Sequence, residues 1–271
     1  MHDHLLGSED AAASSGPFVF HREADAGGGP VHVAFTSAEA GNLAFHVLPD
    51  GSGAERDRAR EGVVGARTRL EEAMGVAPGS TAFVDQIHSA DVVVADGSGW
   101  ATGPVRTADA LVCADGSQPL AIMVADCLPV VFADPVTGAT AVAHAGRRGL
   151  LDGVLQNTLD SLERLRRERG ISAAAAVGPI RAWIGPGVCG RCYEVPAQMR
   201  DESVARLPEA AAETSWGTPS LDLPAGAHAV LTARGVDVER IDRCTVEDEL
   251  LFSHRRAPGR GRFAGLVWRT P

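Results

Sequence analysis

Short apolar runs separated by turn-forming residues dominate the chain and predict a mixed α/β protein. In its centre, residues 119–124 and 129–132 are continuous apolar stretches, and 140–143 follow the turn sequence DPVTG at 134–138. We expect three strands here, two of them joined as a hairpin. Comparable runs predict further strands at 18–20, 31–35, 81–84, 92–95, 110–112, 182–184 and 267–268.

Three longer segments have the pattern of helices. Residues 56–74 are rich in Arg, Glu and Ala and end before Gly75. Leucine and valine recur at helical spacing between Leu150 and Leu162, and this helix should end in an arginine-rich turn at Gly170. A third helix is predicted within 221–235. Strands and helices mixed without a regular βαβ repeat favour an α/β sandwich with mixed sheets.

The domain organisation follows from the same pass along the chain. We see no internal repeat or linker, so residues 17–271 should form a single domain. The polar, acidic stretch 1–16 is predicted to be a disordered tail. It lacks the apolar core of a signal peptide, and no run approaches the roughly 20 apolar residues that span a bilayer. We therefore expect a cytoplasmic protein.

Composition and charge exclude several classes of function. The chain has 271 residues and a formal net charge of -10, which argues against binding to nucleic acid or anionic membranes. All 25 basic residues are arginine. Without lysine there can be no Schiff-base nucleophile, no pyridoxal phosphate anchor and no P-loop.

Cys127 and His144 are the first candidates for chemistry. Each lies just beyond the end of a predicted strand, and the turn at 134–138 joins two of the strands concerned. A hairpin brings positions on either side of its turn into register, and imidazole with thiolate favours zinc over magnesium or calcium. His88 precedes another predicted strand and could supply a third ligand. On the residues alone, a buried cysteine with solvated histidines remains the alternative.

Two arginine-rich segments could bind an anion. HAGRRG at 144–149 lies between a predicted strand and a predicted helix, with glycines that let the backbone approach a ligand. Arg147 and Arg148 add donors suited to phosphate, although a solvated turn fits the same letters. Residues 253–265 are either a polar loop or a phosphate or ribose clamp.

The five cysteines are too few and too scattered for a disulfide scaffold, so buried thiols or metal ligands are expected. Cys189 and Cys192 form one CxxC without a second CxxC. A loop with two reduced thiols is favoured for this pair over a redox or zinc role.

Four segments occur together in a specific order: DQIHSADVV; ADALV with LAIMVADCLPVVFADPVTGATAVAHAGRRG; WIGPGVCGRCYEV; and LDL with CTVEDELLFSHRRAPGRGRFAG. Over residues 31–268 this pattern resembles the YfiH-like family, named both as polyphenol oxidase (laccase domain) and as purine nucleoside phosphorylase. The resemblance implies an α/β/β/α-type sandwich. It also implies a zinc site of two histidines and one cysteine, placed here at His88, Cys127 and His144.

The same resemblance implies the reactions. Three protein ligands leave a coordination position open, as catalytic zinc sites do. Family members carry out phosphorolysis of adenosine, inosine, guanosine and 5′-methylthioadenosine, and deamination of adenosine. The expected partners are therefore a purine nucleoside and phosphate, bound by a monomer or weak homodimer. The predicted residues that bind substrate or phosphate are Asn42, Arg148, Arg255 and Arg262.

The predicted catalytic residues are Asp126, Cys127 and Arg148. Asp126, beside the metal ligand Cys127, is the candidate for proton transfer, with a strand-end hydrogen-bonding role as its alternative. Arg148 should clamp phosphate and stabilise charge as the glycosidic bond breaks. The chain departs from the family at Arg147, because the family motif HAGWRG has tryptophan at that position. It also lacks an N-terminal arginine, while Asn42 is retained.

Two other readings remain open. A copper-dependent polyphenol oxidase is the family's older label, but the chain has nine histidines and no His-Cys-His segment. A nucleoside-binding module without turnover is the second alternative. The missing N-terminal arginine supports this alternative, whereas the intact set of His88, Cys127 and His144 argues against it. A role in editing peptidoglycan precursors, also associated with the family, stays open too.

Overall fold

A computed structural model describes residues 16–48, 53–95, 105–171 and 178–270. The tail predicted at 1–16 lies outside the described residues, apart from Gly16. Within these ranges the strands are β1 (Phe18–Ala26), β2 (Gly29–Thr36), β3 (Val92–Val94), β4 (Ala110–Cys113), β5 (Leu120–Val124), β6 (Leu128–Ala133), β7 (Thr140–Ala145), β8 (Arg181–Ile184), β9 (Ala211–Glu213), β10 (Pro219–Leu221), β11 (Asp237–Arg240) and β12 (Phe263–Trp268). The α-helices are α1 (Ala54–Met74), α2 (Arg147–Asp152), α3 (Val154–Glu168), α4 (Ala197–Arg206) and α5 (Leu223–Ala233).

Two sheets make up the centre of the fold. The four-stranded sheet has the order β1–β2–β12–β5, with every neighbouring pair antiparallel. The six-stranded sheet has the order β11–β8–β6–β7–β4–β3. Its outermost pairs, β11 with β8 and β3 with β4, are parallel, and the pairs between them are antiparallel. A two-stranded ribbon of β9 and β10 is separate from both.

Alternation of side chains along the buried strands sorts the core into layers. Val131 of β6 packs with Ile122 of β5 between the two sheets. Its neighbour Val130 faces the opposite way, against Leu155 and Leu159 of α3. The outer face of the four-stranded sheet packs against α1. Because successive residues of a strand point to opposite faces, a strand buried on both sides needs an uninterrupted apolar run. The layers are helix, sheet, sheet and helix, so the predicted α/β sandwich is confirmed; its six-stranded sheet is mixed, and its four-stranded sheet is antiparallel.

Two predicted elements differ in the structure. The strand expected at 81–84 is absent, and only Ala82 forms a bridge, to Leu120. Beyond it, the side-chain amide of Gln86 bonds both the N–H and the carbonyl of Met123, taking the place of a neighbouring strand. The helix predicted through Leu150–Leu162 is two helices, because Gly153 has the left-handed φ of 98° between α2 and α3.

The helix predicted to end at Gly75 does so, with glycine at φ 70° closing α1. The pattern did not reveal α4, β11 or the β9–β10 ribbon, which are short or largely exposed. No helix in the described ranges combines the length and apolar character needed to cross a bilayer.

Candidate metal centre and its cavity

The three predicted ligands converge: the ligand atoms of His88, Cys127 and His144 all lie within 4.8 Å of one another. Cys127 belongs to the short link 125–127 between β5 and β6, which crosses from one sheet to the other. His144 stands in β7 opposite Pro129 of β6. The predicted hairpin is confirmed. However, His144 lies within its strand rather than beyond its end, because β7 continues to Ala145.

The turn that carries His88 is strained and is held from two sides. His88 has φ 62°, in the left-handed region that residues with side chains rarely adopt. Asp109 accepts hydrogen bonds from the N–H groups of Ile87, His88 and Ser89. The Arg148 guanidinium donates to the carbonyls of Ile87 and His88. With its polar groups satisfied in this way, the turn can maintain a conformation that it would not adopt alone.

Asp109 also orients His144. The carboxylate is fully buried, and its Oδ1 lies 2.8 Å from Nδ1 of His144. With Nδ1–H donated to Asp109, Nε2 is the nitrogen of His144 that can bind a metal once it has lost its proton. Burial alone would raise the pKa of Asp109, but hydrogen bonds from His144 and Ser89 lower it to about 2. The carboxylate therefore stays charged beside the imidazole.

Two glycines of the HAGRRG segment allow the backbone to pack against the ligands. A Cβ on Gly146 would lie 2.8 Å from Cδ2 of His88 and 2.9 Å from Sγ of Cys127. A Cβ on Gly149 would lie 2.8 Å from the carbonyl oxygen of Ser89. Such contacts are too close for any side chain. The glycines thus bring this segment close to the ligand residues themselves.

The donor set fits zinc. Nε2 of His88 lies 3.7 Å from Sγ of Cys127. Bond lengths of about 2.3 Å to sulfur and about 2.0 Å to nitrogen place two tetrahedral ligands roughly 3.5 Å apart. One thiolate and two imidazoles are also the ligand types that zinc accepts. His88, Cys127 and His144 could therefore hold a zinc ion with one coordination position open.

Without a bound metal, Cys127 and His144 form a thiolate–imidazolium pair. Burial raises the pKa of the Cys127 thiol, but the charge and hydrogen bond of His144, together with those of His88, outweigh it and bring the value to about 6. Burial lowers the pKa of His144, but the Cys127 thiolate and the Asp109 hydrogen bond raise it to about 9. The sulfur is thus ready to act as a ligand, whereas a metal must displace a proton from His144.

A cavity of about 630 Å³ opens over these ligands. This volume lies in the range of small-molecule sites, about 300 to 1,000 Å³. Its wall is mixed, with apolar side chains, one tyrosine and two arginines beside the ligand set. Besides the three ligands, the lining includes His46, Gln86, Met123, Asp126, Val188, Tyr193, Leu223, Arg255 and Arg262.

Asp126 lines the cavity and also anchors its rim. Its backbone has the left-handed φ of 84° in the link between the sheets. Oδ1 accepts a hydrogen bond of 2.7 Å from the Thr245 hydroxyl, and Oδ2 accepts one of 2.8 Å from the Arg255 N–H. The hydrogen-bonding role considered for Asp126 is therefore present. Each carboxylate oxygen has two lone pairs, so capacity for a proton-transfer contact remains.

Arg255 and Arg262 both border the cavity, as expected of residues that bind substrate. The Arg255 guanidinium lies over the ring of Tyr193, 4.9 Å from its centroid. Arg262 is half-buried and donates to the carbonyl of Gly261, which leaves most of its five N–H donors for a ligand. Asn42 acts on this arginine indirectly, because its Oδ1 accepts the backbone N–H of Arg262.

Arg148 lies elsewhere than a phosphate clamp requires. It is not among the cavity-lining residues, and its guanidinium is bonded to the His88 turn. The six-residue α2 that follows is also too short to present a strong dipole. This geometry does not support the predicted clamp, which stays a prediction, because the guanidinium of Arg148 holds a ligand-bearing turn in place. Arg147 contacts Ser203 of α4.

Asp109 is the main residue that sequence reasoning missed. It precedes strand β4 in the segment ADALV, and a single aspartate before a buried strand carries no distinguishing pattern. Its partner His144 is 35 positions away in the chain. Tyr193, the single tyrosine, and His46 also line the cavity, and the sequence pattern predicts no role for either. The motif YEV was the available signal for Tyr193.

Comparison with known proteins supports one family. A family model described as multi-copper polyphenol oxidoreductase laccase matches residues 34–270. A purine nucleoside phosphorylase of Streptomyces coelicolor is 46% identical over 207 residues, which cover 76% of this chain and 82% of that protein. One of Streptomyces griseus is 40% identical over 254 residues, covering 92% and 98%. The crystal structure of the Bacillus licheniformis hypothetical protein YfiH superposes with a TM-score of 0.71 at 26% identity, covering 88% of this chain and 92% of that one.

Proposed function

This chain belongs to the multi-copper polyphenol oxidoreductase laccase family, as its resemblance to YfiH-like proteins predicts, and we propose that it is a zinc-dependent purine nucleoside enzyme. Its proposed reactions are phosphorolysis of adenosine, inosine, guanosine and 5′-methylthioadenosine, and deamination of adenosine to inosine. The relatives named purine nucleoside phosphorylase support the substrate class. The proposed location is the cytoplasm, and the proposed assembly is a monomer or weak homodimer.

One observation carries this proposal. A ligand set with an open position, His88, Cys127 and His144, lies in the wall of a cavity that two arginines also border. Structural zinc sites use four protein ligands, whereas catalytic sites keep a position free for water or substrate. Phosphorolysis requires the anion site, deamination requires the open metal position, and this cavity offers both.

Phosphorolysis breaks the bond between the purine nitrogen and C1′ and forms a bond between C1′ and a phosphate oxygen. The departing base takes up the proton that phosphate loses, and the products are the free base and ribose 1-phosphate, or 5-methylthioribose 1-phosphate from 5′-methylthioadenosine. Arg262 and Arg255, which both line the cavity, are the proposed phosphate-binding residues, because charge-assisted donors stabilise a dianion and the charge that develops as the bond breaks. The ring of Tyr193 and the apolar wall of Met123 and Leu223 supply a surface for the base.

Deamination adds the oxygen of water to C6 of adenine and releases ammonia. Bound zinc supplies a Lewis acid at the open position. The Asp126 carboxylate is the proposed proton carrier, taking the proton that the attacking water loses and returning it to the departing amine. Its bonds to Thr245 and to the Arg255 backbone hold it at the cavity wall while it does so.

Copper-dependent oxidation of phenols is the second candidate, because the family description names copper. The donor set gives it less support. Within the described residues, neither group of potential ligands contains more than two histidines, whereas a coupled copper cluster needs many more. A single His₂Cys site resembles a blue-copper centre only when a weak axial ligand is added.

The deciding experiment incubates protein loaded with zinc or with copper with a nucleoside panel, with and without phosphate, and identifies the products. We expect adenine and ribose 1-phosphate from adenosine with phosphate, and inosine without it. Cys127→Ser should abolish both, while Cys113→Ser, a buried thiol away from the cavity, should retain both. Binding of nucleosides without turnover by the zinc form would support the binding-module alternative. Oxidation of phenols by the copper form alone would support the oxidase.

A further inference from the structure

A second group of metal-ligand side chains lies outside the cavity. Cys189 and Cys192 are on the loop that follows β8, and Cys244 and Glu247 are on the segment that follows β11. Their thiol and carboxylate atoms all lie within 4.8 Å of one another. We propose that these four side chains form a second, structural zinc site.

The backbone builds this cluster from two similar turns. The N–H groups of Cys192 and Tyr193 both donate to the carbonyl of Cys189, at 3.0 and 2.9 Å. On the other segment, the N–H groups of Glu247 and Asp248 donate to the carbonyl of Cys244, at 3.1 and 2.9 Å. Each turn therefore presents two ligands separated by two residues. This is the spacing at which structural zinc sites take paired ligands from one turn.

The two turns are fixed side by side. Gly187 and Cys244 form a parallel bridge, and the N–H of Thr245 donates to the carbonyl of Gly187 at 3.1 Å. The N–H of Cys189 points to Sγ of Cys244 at 3.5 Å. This N–H stabilises the thiolate form of Cys244, whereas burial raises the pKa of that thiol, so an ion must displace its proton on binding. The ligands are thus assembled before any ion arrives, which reduces the ordering that binding must impose.

The chemistry of the donors selects zinc. Three thiolates exclude magnesium and calcium, which prefer oxygen. With the Glu247 carboxylate, the set supplies the four ligands of a closed tetrahedral site. Cys192 and Cys244 are buried beside Val188 and Val246, so the ion would be shielded on this side, whereas Glu247 is exposed. Arg191 lies 3.8 Å from Glu247 and offsets part of the negative charge.

The proposed second site is accessible to an ion from solvent. A cavity of about 370 Å³, separate from the one above the first metal centre, is lined in part by Cys189, Cys244 and Glu247. A metal site needs such an entry path as well as its ligands.

The position of the cluster indicates what the ion does. The first turn continues into Tyr193, and the residue before it is Val188, and both line the substrate cavity. The second turn carries Thr245, whose hydroxyl bonds Asp126. Zinc at this place would join the two segments that form one wall of the cavity. It would hold that wall without contacting substrate.

Metal content of variants tests the proposal. Protein purified and loaded with zinc under reducing conditions should contain about two zinc ions per chain, one from each site. Cys192→Ser and Cys244→Ser should each lower this to about one, and Cys127→Ser should also leave about one, at the other site. Cys113→Ser, which changes a buried thiol outside both groups, is the matched control and should keep both ions.

Cobalt distinguishes the sites directly. Cobalt-loaded Cys127→Ser should keep the intense thiolate-to-metal absorption of a three-sulfur site, and Cys244→Ser should lose most of it. Zinc retained at the first site in Cys192→Ser and Cys244→Ser shows that these variants are folded. A stoichiometry of one zinc in the wild-type chain, lost entirely in Cys127→Ser, would overturn the proposal. So would thiol titration showing that two of these cysteines form a disulfide in the zinc-loaded protein.

Discussion

The carboxylate of Asp109 lies 2.8 Å from Nδ1 of His144 and, at the same time, accepts the backbone N–H groups of residues 87, 88 and 89. One buried side chain thereby positions two of the three candidate metal ligands, which lie on different elements. It fixes His144 through the imidazole and His88 through its backbone. The third ligand, Cys127, is placed independently by the crossing between the sheets.

Replacing Asp109 should therefore weaken the metal centre without removing a ligand. Asp109→Asn keeps the shape but loses the charge, and its amide nitrogen cannot accept the N–H groups that face it. We expect zinc affinity to fall by about 10- to 100-fold, as for other groups that orient a ligand. Competition with a chelator measures this. Asp115→Asn, an exposed aspartate in a distant turn, should leave the affinity unchanged. Equal zinc affinity in Asp109→Asn and wild type would contradict the role.

Gly146→Ala should disturb the metal centre by a steric clash with two of its ligand residues. The added methyl group would lie under 3.0 Å from both His88 and Cys127, so at least one ligand must move. A displacement of about 1 Å can lower activity on the order of 100-fold, and zinc content should fall with it. Gly62→Ala in α1 is the control, because nothing lies within 4 Å of its added Cβ. It should retain zinc and raise the free energy of unfolding by roughly 0.5 to 1 kcal/mol.

Arg262→Ala should separate the two reactions. If Arg262 holds phosphate, its loss should cost phosphorolysis on the order of 2 to 4 kcal/mol in the transition state and raise the KM for phosphate. Deamination uses water and should suffer less. Steady-state kinetics with adenosine, at varied phosphate, measures both. Arg260→Ala removes an exposed arginine of the same loop and should leave both rates intact. Equal loss of the two reactions in Arg262→Ala would rule out a specific phosphate role.

Arg148→Ala should behave differently from Arg262→Ala. Because its guanidinium bonds the carbonyls of the His88 turn, its removal should lower zinc affinity and reduce both reactions in proportion. Chelator competition and kinetics with zinc in excess test this together. Arg147→Ala is the neighbouring control. It should keep zinc affinity, because its guanidinium bonds Ser203 rather than the His88 turn. If Arg148→Ala raised only the phosphate KM, with zinc affinity intact, the phosphate clamp first predicted for Arg148 would be restored.

Zinc affinity should rise with pH. Between the pKa of the Cys127 thiol at about 6 and that of His144 at about 9, a metal must displace one proton from His144. Affinity should therefore increase about tenfold per pH unit in this window. Below it the dependence should steepen, because the thiolate is protonated as well. Chelator competition across this range gives the slope. A flat profile between the two values would contradict the assignment of His144 as a ligand that starts protonated.

Much of the fold could be predicted from the sequence, because burial on two faces demands continuous apolar runs. Residues 119–124 and 129–132 had such runs and became β5 and β6. The segment 81–84 had one too, yet it is not a strand. Just after it, the side-chain amide of Gln86 makes the hydrogen bonds to Met123 that the backbone of a neighbouring strand would otherwise make. A side chain that acts in place of a strand leaves no periodic pattern in the sequence.

The sequence by itself predicted the three residues of the candidate metal centre, since His88, Cys127 and His144 stand in recognisable motifs whose joint order is specific, and the structure brings them together. Only the tertiary structure decided what surrounds them. Arg148 bonds a backbone turn while Arg262 borders the cavity, although both are arginines in glycine-rich segments. Local sequence describes neighbours along the chain, but a ligand's partner, such as Asp109 for His144, is chosen by the packing of distant strands.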